Sequence, residues 1–361
     1  MARHHPDSQN KKDAGLGALL RAKIAAEGPV SVADYMALCL AHPDYGYYMT
    51  RDPFGTRGDF TTAPEISQVF GEIIGTFLLE NWQEMGAPEK PALVELGPGR
   101  GSLTADIWRI AEKAAPDFCA QAEVHLVEIS PVLKERQRET LAHLEGKISW
   151  HDSIDDLPQD RPLIVMANEF FDALPIRQFV MEKGEWRERG ITTGKNKGFA
   201  FTLLPEKPEM DLPKRVKDGA VFEYCPAAEA IMGKLAAKIK AQRGMCLVID
   251  YGHDDEWAIG DTLQALSAHQ HADPLWDPGE RDITAHVNFA VLRKAVQAAG
   301  VYATDIITQG DFLRGIGIEE YAGNLRKQAR PEQAKELILA VQRLTAASEM
   351  GRLFKVMGLS A

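Results

Sequence analysis

Cysteine is scarce. Cys39, Cys119, Cys225 and Cys246 are the only four in 361 residues, and they lie too far apart for the close pairs of a zinc site or a redox motif. A reducing interior is the simplest setting, and no metal is expected. No apolar run approaches the roughly 20 residues that cross a bilayer. The amino end carries Asp7, Asn10 and Asp13 among its bases rather than a signal-like apolar stretch. Membrane insertion is therefore not expected, and a soluble, cytoplasmic chain is. A basic excess is missing too. The 41 Lys and Arg stand against 52 Asp and Glu, and the net charge of −11 repels phosphate backbones and excludes a general nucleic-acid partner. A cationic partner is favoured instead. With 45% hydrophobic and 26% charged residues, the chain has enough apolar side chain for one large domain with an appended subdomain.

Residues 1–90 read as a helical region interrupted by a loop at 42–63 that is rich in Gly, Asp and aromatics. Ile66, Val69, Phe70, Ile73, Ile74, Phe77 and Leu78 recur at steps of three and four, which predicts one buried helical face. Thr62 with Glu65 reads as a capping box at its start, and Gly86 with Pro88 closes it. From residue 91 to 180, short apolar runs alternate with amphipathic stretches: LVEL, a glycine loop, SLTADIWRIAEKAA, VHLVE, then KISW and PLIVMA. Ser130 and Pro131 open the helix before KISW. This alternation predicts an α/β fold with a mostly parallel sheet. Residues 181–245 break the rhythm with a hairpin near 194–198 and a helix near 227–241, and are read as an insertion. MCLVIDYG resumes the core over 246–361, followed by a substrate-side loop at 253–290, with VYATDIIT and LFKVMGL as final strands.

The stretch LVELGPGRGSL sets Gly97, Gly99 and Gly101 between a buried strand and a helix, where amides and the positive helix end can meet a ligand. It is not a Walker loop, because no Gly-Lys-Ser/Thr follows. The dinucleotide fingerprint places its third glycine where Ser102 stands here. Glu95, two residues before the first glycine, would repel a pyrophosphate and attract an ammonium group. That sign argument favours S-adenosylmethionine as the ligand. Glu128, ending the second strand, can accept hydrogen bonds from both ribose hydroxyls. Asp152 and Ser153 follow the third strand, where the adenine edge would lie, although a merely polar turn would look the same.

In PLIVMANEFFDALP the polar residues begin as a buried strand ends, so Asn168, Glu169 and Asp172 are expected to face the ligand crevice, Asn168 on the cofactor side. Carboxylates beside Phe170 and Phe171 are costly unless solvated or matched by a cation. Methyl transfer from a sulfonium to a guanidinium supplies that cation, and the nucleophilic nitrogen must shed a proton. Glu169 and Asp172 are the catalytic candidates, with the alternative that they cap the next helix. Asp59 and Glu65, Asp250 with Tyr251, and Asp282, Thr284 and His286 are candidates for the same crevice. Asp250 fits a catalytic or a loop-fixing role. His286 is a candidate general base, though a lone loop histidine is more often structural.

The motifs HPDYGYYM, PFGTRGDFTTAPEISQVFGE, VELGPGRGSL, HLVEISPVL, NEFFDALPIRQF, VIDYGH, GDTLQALSAH, DITAHVNF and MGRLFKVM stand in order from residue 42 to 357. Together they resemble the MidA-like family of class I methyltransferases, which includes a mitochondrial arginine methyltransferase that acts as a complex I assembly factor. The resemblance implies a Rossmann-like, seven-stranded, mostly parallel sheet with a helical N-terminal region and an inserted subdomain. It also implies S-adenosyl-L-methionine as donor, and an arginine of a protein partner such as a respiratory complex I subunit as acceptor. The GDFTTAPEIS segment is then expected to fold over the donor site. Carried over by position, the donor-site residues are Glu95, Gly97, Gly99, Gly101 and Glu128. One departure is Asn288, in HVNF where the family pattern has HVDF. The amino end resembles a bacterial rather than an imported mitochondrial member. Two other classes remain open: an assembly chaperone with a vestigial donor site, and an NAD-dependent oxidoreductase.

Overall fold

The computed structural model describes residues 15–53, 62–195, 198–267 and 270–361. Its centre is a sheet whose main path has seven strands: β1 (Ala92–Leu96), β2 (Glu123–Val127), β3 (Ile148–His151), β4 (Leu163–Asn168), β5 (Gly244–His253), β6 (Tyr302–Ala303) and β7 (Phe354–Ser360). Their order is β3-β2-β1-β4-β5-β7-β6. β1 to β5 pair in parallel, as in Leu93↔Val124, Leu93↔Ile164 and Met245↔Ile164, while β7 runs antiparallel beside β5 through Val248↔Met357. This is the class I methyltransferase sheet, and it reverses direction of growth between β1 and β4, where such sheets bind ligands.

Alternation along each strand sends apolar side chains to both faces, as parallel sheets require. Ile164 and Met166 of β4 enter one core with Leu93, Leu126, Leu247 and Ile249. Leu163, Val165 and Ala167 enter the other with Val94, Leu96 and Val248. A third core joins Leu20, Tyr35 and Met36 of the N-terminal helices to Ile176, Ile191 and Ile283. The N-terminal region is stitched directly to strand Glu185–Thr193, since Val30 and Ser31 pair with Ile191 and Gly190.

Several sequence expectations need correction. The long helix is Gln68–Glu84, and Ser67 caps it by accepting from the Val69 amide at 3.2 Å. Thr62 instead precedes a separate short turn, Ala63–Ile66, without a side-chain cap. The extended backbone of Ser67 divides the two, and Glu65 turns away to accept from the Ser102 hydroxyl at 2.8 Å. The stretch 253–290 is not one loop, because Gln264–Ser267, Gln270–Ala272 and Asp282–Thr284 pair as a three-stranded sheet. VYATDIIT gives only two short strands, Tyr302–Ala303 and Ile307–Thr308. Between them the Thr304 hydroxyl accepts from the Gly358 amide at 2.9 Å, which interrupts the ladder. No helix among the described residues is long and apolar enough to cross a membrane.

Helix Gln68–Glu84 lies against helix Ser102–Ala114. A Cβ at Gly75 would come 2.5 Å from Ile110 Cγ2 and 3.0 Å from Ile107 Cα, so the contact tolerates no side chain. Gly75→Val is expected to cost about 1–3 kcal/mol by overpacking, measured as a lower urea midpoint with an unchanged m-value.

Candidate functional site

β1 delivers the chain into a loop whose glycines all lie in the left-handed region: Gly97 at φ 61°, Gly99 at 52° and Gly101 at 82°. A Cβ on Gly97 would meet the Phe170 ring at 3.0 Å, so this turn needs glycine for space as well as for backbone conformation. The loop is fixed from two sides. The Gly97 amide donates to Val127 O at 3.0 Å, and Gln137 Nε2 donates to Gly99 O at 2.7 Å. Arg100 pairs with Asp52 at 3.0 Å, which ties the N-terminal segment to the loop.

Buried carboxyl groups surround these glycines. Glu95 on β1 accepts from the Thr104 hydroxyl, and burial pushes its carboxyl up to about 7. Glu128, just after β2, accepts from the Ser130 amide at 2.8 Å and from Gln137 Nε2 at 3.2 Å, and burial raises it as well. Asn168 ends β4 with its Oδ1 buried and unpartnered. Glu95, Asn168, Gly97 and Gly99 line a small pocket of about 40 Å³. Gly97 and Gly99 also line a cavity of about 650 Å³ that reaches Glu128, Glu169, Asp172 and Tyr251.

Glu169 takes φ +52°, a conformation a residue with a Cβ adopts only when its surroundings impose it. Its amide continues the ladder to Ile249 O at 2.9 Å. Its Oε1 accepts from the Ala63 amide at 3.1 Å and from Asn168 Nδ2 at 3.3 Å, and burial lifts the carboxyl to about 7. Asp172 is buried, accepts from the Tyr251 hydroxyl, and is raised by burial to about 6. Asp282 lines the same cavity and accepts from the Tyr48 hydroxyl at 2.8 Å.

Other sequence candidates lie elsewhere. Asp250 is fully buried and lines neither pocket. Its Oδ2 accepts from the amides of Phe170, Phe171 and Asp172 at 3.2, 3.0 and 3.3 Å, which shapes the turn carrying Glu169 and Asp172. That geometry makes it a positioning group rather than a reacting one. His286 stacks edge-on against Tyr251 at 5.5 Å between centroids and lines a separate pocket of about 40 Å³. Burial holds its imidazole below 6.5, so it is neutral at pH 7 and outside the large cavity. Asp152 is exposed and paired with Lys134 at 2.5 Å, while Ser153 caps the turn Ile154–Asp156 by accepting from the Asp155 amide. Neither lines the cavity, so the polar-turn geometry applies to both. Asp59 lies outside the described residues, as does much of the segment expected to cover the donor. Asn288 caps helix Phe289–Ala298, accepting from the Val291 amide at 3.3 Å, a role that needs no charge.

Sequence reasoning missed Gln137, Tyr48 and Arg343. Gln137 is buried between Leu133 and Leu141 at helical spacing of four, and that inward polar position is the one signal that marks it. Its Oε1 also accepts from Trp150 Nε1 at 2.9 Å. Tyr48 and exposed Arg343 reach the cavity only through tertiary packing.

A family profile for S-adenosyl-L-methionine-dependent methyltransferases matches residues 73–307, more than half of the chain. The chain belongs to this family. It is an enzyme whose methyl donor is S-adenosylmethionine. Mitochondrial protein arginine methyltransferases named NDUFAF7 are similar over nearly the whole length. The Drosophila melanogaster homolog is 35% identical over 99% of this chain and 88% of its own. That of Danio rerio is 36% identical over 93% and 84%. Among solved structures, a Burkholderia thailandensis protein crystallised with S-adenosyl-homocysteine superposes with a TM-score of 0.82 at 28% identity, covering 100% of this chain and 95% of that one.

The side chains of this methyltransferase suit such a donor. Asn168 Oδ1 and Glu95 offer acceptors for an ammonium group, and Glu128 offers a carboxylate for a diol. Because Gln137 fixes both Gly99 and Glu128, Gln137→Leu is expected to weaken S-adenosyl-homocysteine binding about tenfold in calorimetry. Asp152→Asn, which loses only an exposed ion pair, should leave that affinity within twofold or so.

Proposed function

We propose that this methyltransferase modifies an arginine of a protein partner such as a respiratory complex I subunit, with Glu169 and Asp172 holding the guanidinium. The observation that carries this reading is their setting. Both line one cavity with Gly99 and Glu128, both are raised by burial, and neither forms an ion pair with a described residue. Buried carboxylates are costly to ionise, exposed Arg343 on the cavity wall offsets that cost for Glu169 only in part, and a guanidinium supplies further positive charge. The arginine acceptor named for the mitochondrial relatives supports the same choice.

When bound, S-adenosylmethionine supplies an electrophilic methyl group on a sulfonium. Asp172, held by the Tyr251 hydroxyl, orients the guanidinium through charge-assisted hydrogen bonds. Glu169 accepts the proton that the attacking nitrogen sheds as its bond to the methyl carbon forms and that carbon's bond to sulfur breaks, leaving a neutral thioether. The Asp250 carboxylate fixes the turn between them, so both groups are held before substrate arrives.

A carboxyl titrating at about 7 is a competent base only when ionised. The rate is therefore expected to rise as pH increases through 7 and to level off above it. Glu169→Gln should remove that rise and lower kcat by about 10²- to 10⁴-fold. Labelled donor with extract from cells lacking the protein, followed by mass spectrometry, should place the label on arginine. Label confined to small molecules or to other residues would reject the proposal.

A further inference from the structure

Asp282 reaches the cavity from outside the central sheet, on the three-stranded sheet Gln264–Ser267, Gln270–Ala272 and Asp282–Thr284. It is buried, yet it lines the same cavity as Asp172. Its strand is bound to the turn after β4, because the Ala285 amide donates to Asp172 O at 3.0 Å. Each aspartate also takes a phenol: Asp172 from Tyr251, and Asp282 from Tyr48 at 2.8 Å. A phenol donor orients a carboxylate without neutralising it. The two jaws of the cavity are thus built alike from unrelated parts of the chain.

Tyr48 further joins this jaw to the donor side. Its carbonyl accepts from the Ser130 hydroxyl at 2.5 Å, and the Ser130 amide donates to Glu128 at 2.8 Å. The residue therefore stands between the acceptor carboxylate and the carboxylate next to the glycine loop.

We propose that Asp282, positioned by Tyr48, is a third acceptor-binding carboxylate beside Glu169 and Asp172, and that with Asp172 it selects a planar guanidinium over an alkylammonium. This rests on the arginine reading above and adds the residue that sets its specificity. A guanidinium presents five donors in a rigid fork and can engage carboxylates on two sides, whereas an ammonium is a compact point charge. The competing role for Asp282 is that of a strut holding the N-terminal segment. The two differ in what they need: a strut needs an acceptor for the Tyr48 hydroxyl, which an amide oxygen supplies, while selection needs the negative charge.

The test titrates the full-length protein, saturated with S-adenosyl-homocysteine, with N-acetyl-arginine amide and N-acetyl-lysine amide, followed by NMR. The wild type is expected to prefer the arginine probe about tenfold or more. Asp282→Asn should weaken arginine binding about ten- to hundredfold and abolish the preference, with affinity for S-adenosyl-homocysteine unchanged. Tyr48→Phe should reduce the preference partially, and it decides the matter if Asp282→Asn no longer binds S-adenosyl-homocysteine. A preference retained in the informative variant would make Asp282 a strut and overturn the inference while leaving the arginine reading intact. A wild-type protein that binds neither probe, or lysine as well as arginine, would overturn both.

Discussion

Four carboxyl groups, Glu95, Glu128, Glu169 and Asp172, are gathered at the carboxyl ends of β1, β2 and β4 without an ion pair to any described residue, and this constraint organises the rest of the methyltransferase. Desolvation makes their ionised forms expensive, so Glu95 and Glu169 titrate at about 7 rather than at 4.5. The sign for stability is definite. Folding favours the protonated form of each group, so the ligand-free protein loses stability as pH climbs from 4.5 through 7. A cationic ligand reverses that penalty, which makes the site a receptor for positive charge.

The fold places this charge by topology and holds it with groups that do not react. Growth of the sheet in opposite directions from β1 and β4 opens the crevice, and glycines let the chain turn beside Phe170. Asp250, within β5, gathers the amides of Phe170, Phe171 and Asp172 and so shapes the turn after β4 that begins with Glu169 at φ +52°. The N-terminal segment and the small sheet at 264–284 complete the cavity with Tyr48 and Asp282, a closure that depends on the shared third core.

Much of this was legible in the sequence because it is local. Strand–glycine–helix succession marked β1 and the glycine loop, and period-two burial follows from the apolar runs of β4 and β5. Ser130 with Pro131 marked a helix start that the structure contains, with the Ser130 hydroxyl accepting from the Leu133 amide at 3.1 Å. What was illegible is tertiary. No pattern reveals that Glu65 leaves its own helix end for Ser102, that His286 lies behind Tyr251, or that Gln137 spans three elements. Asp250 and Asp172 both follow or end buried strands and look alike in sequence. Only the surrounding amides of one and the cavity beside the other separate them.

The central claim is that Glu95 and Glu169 keep protons near neutral pH until a cation displaces them. Calorimetry of S-adenosylmethionine binding at pH 6.5, repeated in buffers of different ionisation enthalpy, counts the protons exchanged. Release of roughly one proton to the buffer is the predicted result, since on the proposed reading Glu95 ionises to meet the incoming ammonium group. Tight binding with no proton released, or with protons taken up, would contradict it.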